Sequence, residues 1–338
     1  MRQFIRPKVV ISKCIEFEHC RYDGSLIHSD FVKSLKPYVD FIPVCPEMEI
    51  GLGVPRSSIR IVSAGGELRL IQPTTGLDVT AKMRLFSDQF LSSLPEMDGF
   101  ILKFRSPSCG LKHIKVYSST TETSAISKAS GFFAEKVIER FHGLAIEDEG
   151  RLRNFNIREH FLTQLYAFSN FRNVIDNGSV SNLIQFHADN KFLIMAHSQK
   201  ESKILGKIVT NREGLSFKKQ TQLYRKHFFE ALKRPPLCTS KANVLIHMFG
   251  KFSNQLSREE KEYFLDSVEG YKNKKIPSSA ILAILQSWIA RFGNDYLRNQ
   301  TFFEPFPKGL VELCIDTQCE WAGPDLFETR ENKKFAKS

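Results

Sequence analysis

The sequence predicts an α/β domain with a largely parallel sheet, followed by an all-α helical domain. Three observations predict it. Short apolar, β-branched-rich runs alternate with turn clusters and amphipathic stretches over residues 1–150. Beyond them apolar residues recur at helical spacing and hardly any segment alternates at period two. The length of 338 residues suits two domains, at roughly 100–200 residues each.

In order along the chain, Val9-Val10-Ile11 is a run of the kind a buried parallel strand prefers, and it gives way to Ser12-Lys13-Cys14. A short helix carrying Phe31, Val32 and Leu35 follows Ser29 and is stopped by Pro37. Residues 39–44 form a second strand running into Cys45-Pro46-Glu47, and residues 99–104 a third running into Ser106-Pro107-Ser108-Cys109-Gly110. Residues 114–117 are a further strand, and Ala125 to Phe141 reads as a helix with Ala134, Val137, Ile138 and Phe141 on one face. Ile146 to Arg153 is the expected connection. The second half shows helical stripes at Ile157, Phe161, Leu162, Leu165 and Tyr166, at Leu183, Phe186, Leu193 and Ile194, and on through Leu285, Trp288 and Ile289. Ser257-Arg258-Glu259-Glu260 matches a capping box. The expected division is therefore 1–150, 151–325 and a polar tail over 326–338.

The composition, 42% hydrophobic and 25% charged, is that of an ordinary globular protein, and no stretch approaches the roughly 18 apolar residues of a membrane span. The opening MRQFIRPKVVIS lacks the apolar run of a signal peptide, and seven cysteines do not suggest a secreted disulfide framework, so a cytoplasmic protein with reduced thiols is expected. The net charge of +11 is unevenly divided. Residues 1–150 hold 19 Lys and Arg against 18 Asp and Glu, whereas residues 151–338 hold 29 against 19. That bias suits a polyanionic partner such as RNA, and equally a solubility feature.

Cys14, Cys45 and Cys109 share one situation: each follows the carboxyl end of an expected strand, in a turn rich in Pro, Gly or Ser. Ligands of open α/β sheets lie beyond those strand ends. Three thiols reaching that edge suit zinc or an iron–sulfur cluster, because soft sulfur selects both. Their spacings of 31 and 64 residues match no compact metal motif, and single cysteines also serve as small buried hydrophobes. Cys20 is a candidate fourth ligand, which would close the site as a structural zinc does. Glu47, two residues from Cys45, is placed to act as a general base, and the Ser106 hydroxyl to orient water or a substrate oxygen. Arg21, Tyr22 and Asp23 form a polar turn able to hold a small planar or anionic ligand, although turns collect such residues anyway. Cys238, Cys314 and Cys319 fall in the helical half and are read as structural.

The runs SKCIEFEHCRYDG, FIPVCPEMEIGLGVPR, GLDVT and KFRSPSCG together resemble the thiouracil desulfidase family, over essentially all of residues 8–150. FHADNKFLIMAHS, NVLIHMFGKF, LSREEK and YLRNQTFFEPFP resemble the YbgA-type helical domain. The first resemblance implies a [4Fe-4S] cluster held by Cys14, Cys45 and Cys109 with one open iron, a thiolated pyrimidine as substrate, and Glu47 and Ser106 as catalytic residues. Cys20 stays outside that ligand set. The loop after Cys14 departs from the family pattern, and Glu16, Glu18 and His19 could there reshape the substrate pocket.

The helical half has candidates of its own. His187, Asn190, Ile194 and His197 fall within roughly an 80° arc of a helix, as a site or as buried polar residues with satisfied hydrogen bonds. Lys218-Lys219, Arg225-Lys226, Lys233-Arg234 and Lys272 with Lys274-Lys275 could meet a phosphate backbone, with Tyr224 and Phe228 stacking on bases. The competing readings are thus a desulfidase, a nucleic-acid-associated protein acting on or binding thiolated RNA, and a zinc protein with a closed Cys14, Cys20, Cys45 and Cys109 site.

Overall fold

The structure, a computed structural model, describes residues 2–176 and 178–311. Along the chain run β1 (Lys8–Ser12), α1 (Asp30–Leu35), β2 (Asp40–Val44), α2 (Pro46–Glu49), β3 (Arg60–Ala64), β4 (Glu67–Gln72), β5 (Leu77–Asp78), α3 (Thr80–Ser93), β6 (Gly99–Leu102), β7 (Ile114–Tyr117), β8 (Ala125–Ala129), α4 (Phe132–Arg140) and β9 (Ala145–Asp148). Helices follow: α5 (Phe155–Asp176), α6 (Val180–His197), α7 (Gln199–Thr210), α8 (Phe217–Leu232), α9 (Cys238–Phe249), α10 (Arg258–Lys272), α11 (Ser278–Phe292) and α12 (Asp295–Arg298). The described chain forms two compact units, residues 2–170 with 309–311, and residues 171–308. No helix among the described residues is long and apolar enough to cross a membrane.

The first unit is α/β, as its alternating pattern predicts. A four-stranded sheet in the order β2-β1-β6-β9 is parallel throughout, with Val9 opposite both Phe41 and Gly99, and Gly99 opposite Ala145. Val9, Val10 and Ile11 are fully buried, as expected of a central parallel strand. A second, mixed sheet has the order β5-β4-β3-β7-β8. Its β3–β4 hairpin turns on Gly65-Gly66, both with positive φ. Helix α1 begins where expected: Ser29 Oγ accepts from Val32 N, and Phe31, Val32 and Leu35 are buried.

Two expectations need correction. Ala125 to Ala129 is an edge strand and not the start of a helix. Its backbone pairs antiparallel with β7, and the helix begins only after Gly131. Ile146 to Arg153 is not a free connection either, because Ala145–Asp148 completes the parallel sheet against β6. The first unit runs on to residue 170, since the opening turns of α5 pack into it. Tyr166 meets Phe4 edge-on at 5.6 Å, and Ser169 Oγ donates to Ile5 O over 3.2 Å.

The second unit is all helix, held by two cores. Phe171, Phe186, Tyr224 and Phe228 pack ring against ring, mostly tilted or edge-on, with centroids 5.3–6.1 Å apart. The other centres on Leu245, Met248, Phe264, Ile281, Leu285 and Trp288. The capping box holds as expected: Glu260 N donates to Ser257 Oγ, and Ser257 N donates to Glu260 Oε2.

Candidate functional site

The parallel sheet sets the site. Its strand order places β1 between β2 and β6, and Cys14, Cys45 and Cys109 all follow the carboxyl ends of those three neighbours. This is the edge at which open α/β sheets bind ligands. Each thiol has its own local anchor. The Cys14 turn is fixed by Lys13 N donating to Val44 O and Ile27 N donating to Cys14 O. Cys45 is the N-cap residue of α2, with Pro46 in the first helical position, where its lack of an N–H costs nothing.

Cys109 sits in a loop folded onto the start of α4. Phe133 N and Ala134 N donate to Ser108 O, and Phe132 N donates to Pro107 O, so the loop supplies the acceptors for the helix's first amides. The close approach demands glycine. A Cβ on Gly131 would stand 2.5 Å from Ser108 O, and one on Gly110 2.7 Å from Ser106 O.

All four N-terminal thiols are buried, with Cys20 fully so. They meet pairwise. Cys20 shares hydrogen bonds with the thiols of Cys14 and Cys45, and Cys45 Sγ also donates weakly to Cys20 O over 3.8 Å. Its bond to Cys14, with burial adding to it, pushes the Cys20 thiol up to about 11, although contact with Cys45 pulls the other way. Cys45 is raised by its bond to Cys20 and then by burial, and Cys109 chiefly by burial. Thiols so raised are protonated at neutral pH, so metal loading must release protons. Among the described residues, no three His, Cys, Asp or Glu side chains are grouped as they are around a single metal ion. The donor chemistry, several buried thiols at one sheet edge, is of the kind that holds an iron–sulfur cluster.

Glu47 binds the loops to one another. Its Oε2 accepts from Arg56 Nε at 2.9 Å and Nη2 at 2.7 Å, and its Oε1 from Ser108 Oγ at 2.9 Å. Ser106 Oγ accepts from Ser108 N at 3.2 Å and Cys109 N at 3.1 Å, which leaves its hydroxyl hydrogen to donate elsewhere. Sequence reasoning singled out Glu47 and Ser106 but missed Arg56 and Ser108. The second serine of S-P-S was visible in the motif. Arg56 closes the quoted run FIPVCPEMEIGLGVPR, but its pairing with Glu47 across an irregular loop has no period to signal it.

The turn at Arg21, Tyr22 and Asp23 closes largely on itself. Arg21 Nη1 donates to Ser25 Oγ, Asp23 Oδ1 accepts from Ser25 N and Oγ, and Tyr22 and Asp23 are exposed. The Ser25 hydrogen bonds hold the Asp23 carboxyl below its ordinary range. The unusual loop after Cys14 is also engaged locally. Glu16, at φ +65°, accepts from Ser29 N at the head of α1, Glu18 pairs with Lys13, and His19 Nδ1 lies 3.2 Å from Gly24 O.

In the helical unit, Tyr224 and Phe228 are fully buried in the aromatic core, which corrects the expectation that they stack on bases. His187 Nδ1 lies 3.1 Å from Tyr224 Oη, and Asn190 donates to Phe186 O while accepting from Thr301 Oγ1. His197 Nδ1 lies 2.9 Å from Leu193 O, so the polar residues of this stripe are buried or half-buried and hydrogen-bonded within the unit. Burial lowers both His187 and His197 to about 4. Cys238 Sγ donates weakly to Tyr271 O over 3.6 Å, whereas Cys314, Cys319 and the tail over 326–338 lie outside the described residues.

Comparison with known proteins bears on both halves. Residues 9–149 match the sequence model of the family described as 2-thiouracil desulfurase, and residues 191–307 match that of a protein family of unknown function, DUF1722. The chain is 24% identical to the uncharacterized protein YbgA of Escherichia coli (strain K12) over 149 residues, 44% of this chain and 88% of YbgA. It is 29% identical to the uncharacterized protein YbbK of Bacillus subtilis (strain 168) over 138 residues, 37% of this chain and 91% of YbbK. A solved structure of the [4Fe-4S]-dependent thiouracil desulfidase TudS is 26% identical, covers 46% of this chain and 98% of its own, and superposes with a TM-score of 0.36. The resemblances drawn from the motifs therefore hold in both halves.

Proposed function

We propose that this protein is an iron–sulfur enzyme that removes sulfur from thiouracil or a related thiolated pyrimidine by hydrolysis. The observation that carries the reading is the set of three buried thiols, Cys14, Cys45 and Cys109, following the ends of three adjacent parallel strands, with Glu47 tied into the same loops. The match of residues 9–149 to the desulfurase family supports it. Those three thiols are the residues that hold the cluster. When bound, it supplies an open iron as Lewis acid for a thiocarbonyl sulfur.

The remaining chemistry belongs to the protein's side chains. Glu47 takes a proton from the attacking water, and Ser106 donates its hydroxyl hydrogen to that water or to the pyrimidine oxygen. Oxygen from water replaces sulfur on the carbon, and the two protons of water leave with the sulfide. The test is release of sulfide and formation of the oxo-pyrimidine by anaerobically reconstituted protein. Glu47→Gln and Ser106→Ala should lose turnover while keeping their iron. Full activity in either variant refutes the role given to that residue.

A second reading places the thiolated pyrimidine in RNA, and the charge of the helical unit favours it. Residues 180–250 hold 12 Lys and Arg against 4 Asp and Glu. Lys200, Lys203 and Lys207 are exposed along one face of α7, as are Lys219 and Lys226 along one face of α8 and Lys233 at its C-cap. Glu201, the acidic residue of α7, is turned inward onto His227 Nδ1 at 2.7 Å. RNA binding that weakens steeply with salt supports this reading, and salt-insensitive turnover of the free base alone excludes it.

A further inference from the structure

Arg56 closes the run FIPVCPEMEIGLGVPR and has no role assigned by it; its side chain is 4% exposed and pairs with a Glu47 side chain 14% exposed. Burying two charges is costly unless their geometry and remaining hydrogen bonds compensate. Here they do. Nε and Nη2 converge on Glu47 Oε2, while Nη1 donates to Cys20 O at 3.1 Å and Gly53 O at 2.8 Å. The backbone is held too, with Arg56 N donating to Tyr22 O over 2.8 Å. The guanidinium is thus fastened to two separate stretches of main chain and addresses one oxygen of the carboxylate. The other oxygen, Oε1, accepts from the buried Ser108 hydroxyl of the Cys109 loop.

We propose that Arg56 is a positioning residue for Glu47. It holds Oε2 so that Oε1 is the oxygen that receives the proton of the attacking water, with the Ser108 hydroxyl as the donor that yields its place. This rests on the desulfidase reading and deepens it by fixing which carboxylate oxygen works. In the step, one water O–H breaks and its proton goes to Oε1 as the Ser108 hydrogen bond shifts off that oxygen; the C–O bonds form, the C–S bonds break with their electrons on sulfur, and the proton on Oε1 and the remaining water proton leave with the sulfur as hydrogen sulfide, which restores the carboxylate. A lysine could supply the charge. One ammonium cannot reproduce a planar fork that meets Oε2 and two carbonyls together, so Arg56→Lys separates charge from geometry.

The experiment compares wild type, Arg56→Lys, Arg56→Gln and Ser108→Ala after anaerobic reconstitution. Iron and acid-labile sulfide per chain are measured beside kcat and KM, on thiouracil and on RNA bearing thiolated uracil. Arg56→Lys should hold wild-type iron, keep KM within about twofold and lose at least tenfold in kcat. Arg56→Gln should lose more, and Ser108→Ala should affect kcat in preference to KM. Wild-type kcat in Arg56→Lys overturns the proposal. So does an activity loss in Arg56→Lys that merely follows its loss of iron, which makes Arg56 a structural support of the thiol loops. A wild type that turns over neither substrate refutes the desulfidase reading and this inference with it, and is told apart because the parent protein itself is silent.

Discussion

Ser108 Oγ donates to Glu47 Oε1 over 2.9 Å, joining the loop after β6 to the short helix α2 that follows β2, across 61 residues of sequence. With Arg56 on the other carboxylate oxygen, Glu47 is pinned between the loops that carry Cys20, Cys45 and Cys109. The thiols are thereby placed by polar contacts among their loops as well as by the strands beneath them. Changes that loosen those contacts should show in metal content or turnover before they show in the fold.

Gly131 gives a direct case. Its missing side chain lets the Cys109 loop lie on the start of α4, where a Cβ would come within 2.5 Å of Ser108 O and 2.8 Å of Pro107 O. Both are backbone atoms, so the loop itself must move. Gly131→Ala should cost about 1–3 kcal/mol by overpacking and lower the iron retained after reconstitution. Thermal denaturation and iron analysis check it, and unchanged values in both contradict the account of this loop.

Asp148 offers a pH test. It is buried at the end of β9, and burial chiefly, with Glu147 and Glu149 beside it, raises its carboxyl to about 6 despite the hydrogen bond from Arg151 N. A raised acid binds its proton more tightly in the folded state. Its unfavourable contribution is therefore absent below about pH 4, grows through the window up to about pH 6, and is full above it. Asp148→Asn keeps an acceptor for Arg151 N and removes that contribution. The variant should melt higher than wild type at pH 7.5, with the gain shrinking towards pH 4.5. A gain that grows as pH falls has the wrong sign.

The basic faces of α7 and α8 are tested by counterion release. Each lysine that meets a phosphate should contribute about one unit to the slope of log affinity against log salt. Lys203→Ala, Lys207→Ala and Lys226→Ala combined should weaken RNA binding and reduce that slope by up to about three. Turnover of free thiouracil should not change. Equal RNA affinity in the triple variant sinks the RNA reading of these helices.

Tyr224 supplies the counterpart inside the unit. Its hydroxyl meets His187 Nδ1 and its ring is fully buried among phenylalanines. Tyr224→Phe should cost about 1 kcal/mol in stability and leave RNA affinity unaltered. A large loss of RNA affinity with stability intact means that the Tyr224 hydroxyl reaches RNA after all.

The sheet that builds the site was readable because β1, β2 and β6 are apolar runs with turn residues directly behind them, and those turns hold the cysteines. The mixed sheet was readable only at β7, Ile114–Tyr117. Its β3–β4 hairpin has Gly65-Gly66 between Ile61-Val62 and Leu68-Leu70, a turn signal that the pattern offered. β8 was misread because Ala125-Ile126-Ser127-Lys128-Ala129 has no strong preference of its own, and pairing with β7 decides it. Glu47 and Ser106 stood out through nearness to cysteines in sequence. Their partners Arg56 and Ser108 are set by tertiary contacts that spacing does not encode, and the same blindness put Tyr224 and Phe228 on a surface when the aromatic core holds them.

The most direct test of the central claim is iron and acid-labile sulfide per chain after anaerobic reconstitution, in wild type and in single alanine variants of Cys14, Cys20, Cys45 and Cys109. The account predicts about four iron with matching sulfide in wild type, loss in the Cys14, Cys45 and Cys109 variants, and retention in Cys20→Ala. Stoichiometric zinc without sulfide, or a wild type that binds no metal, contradicts it.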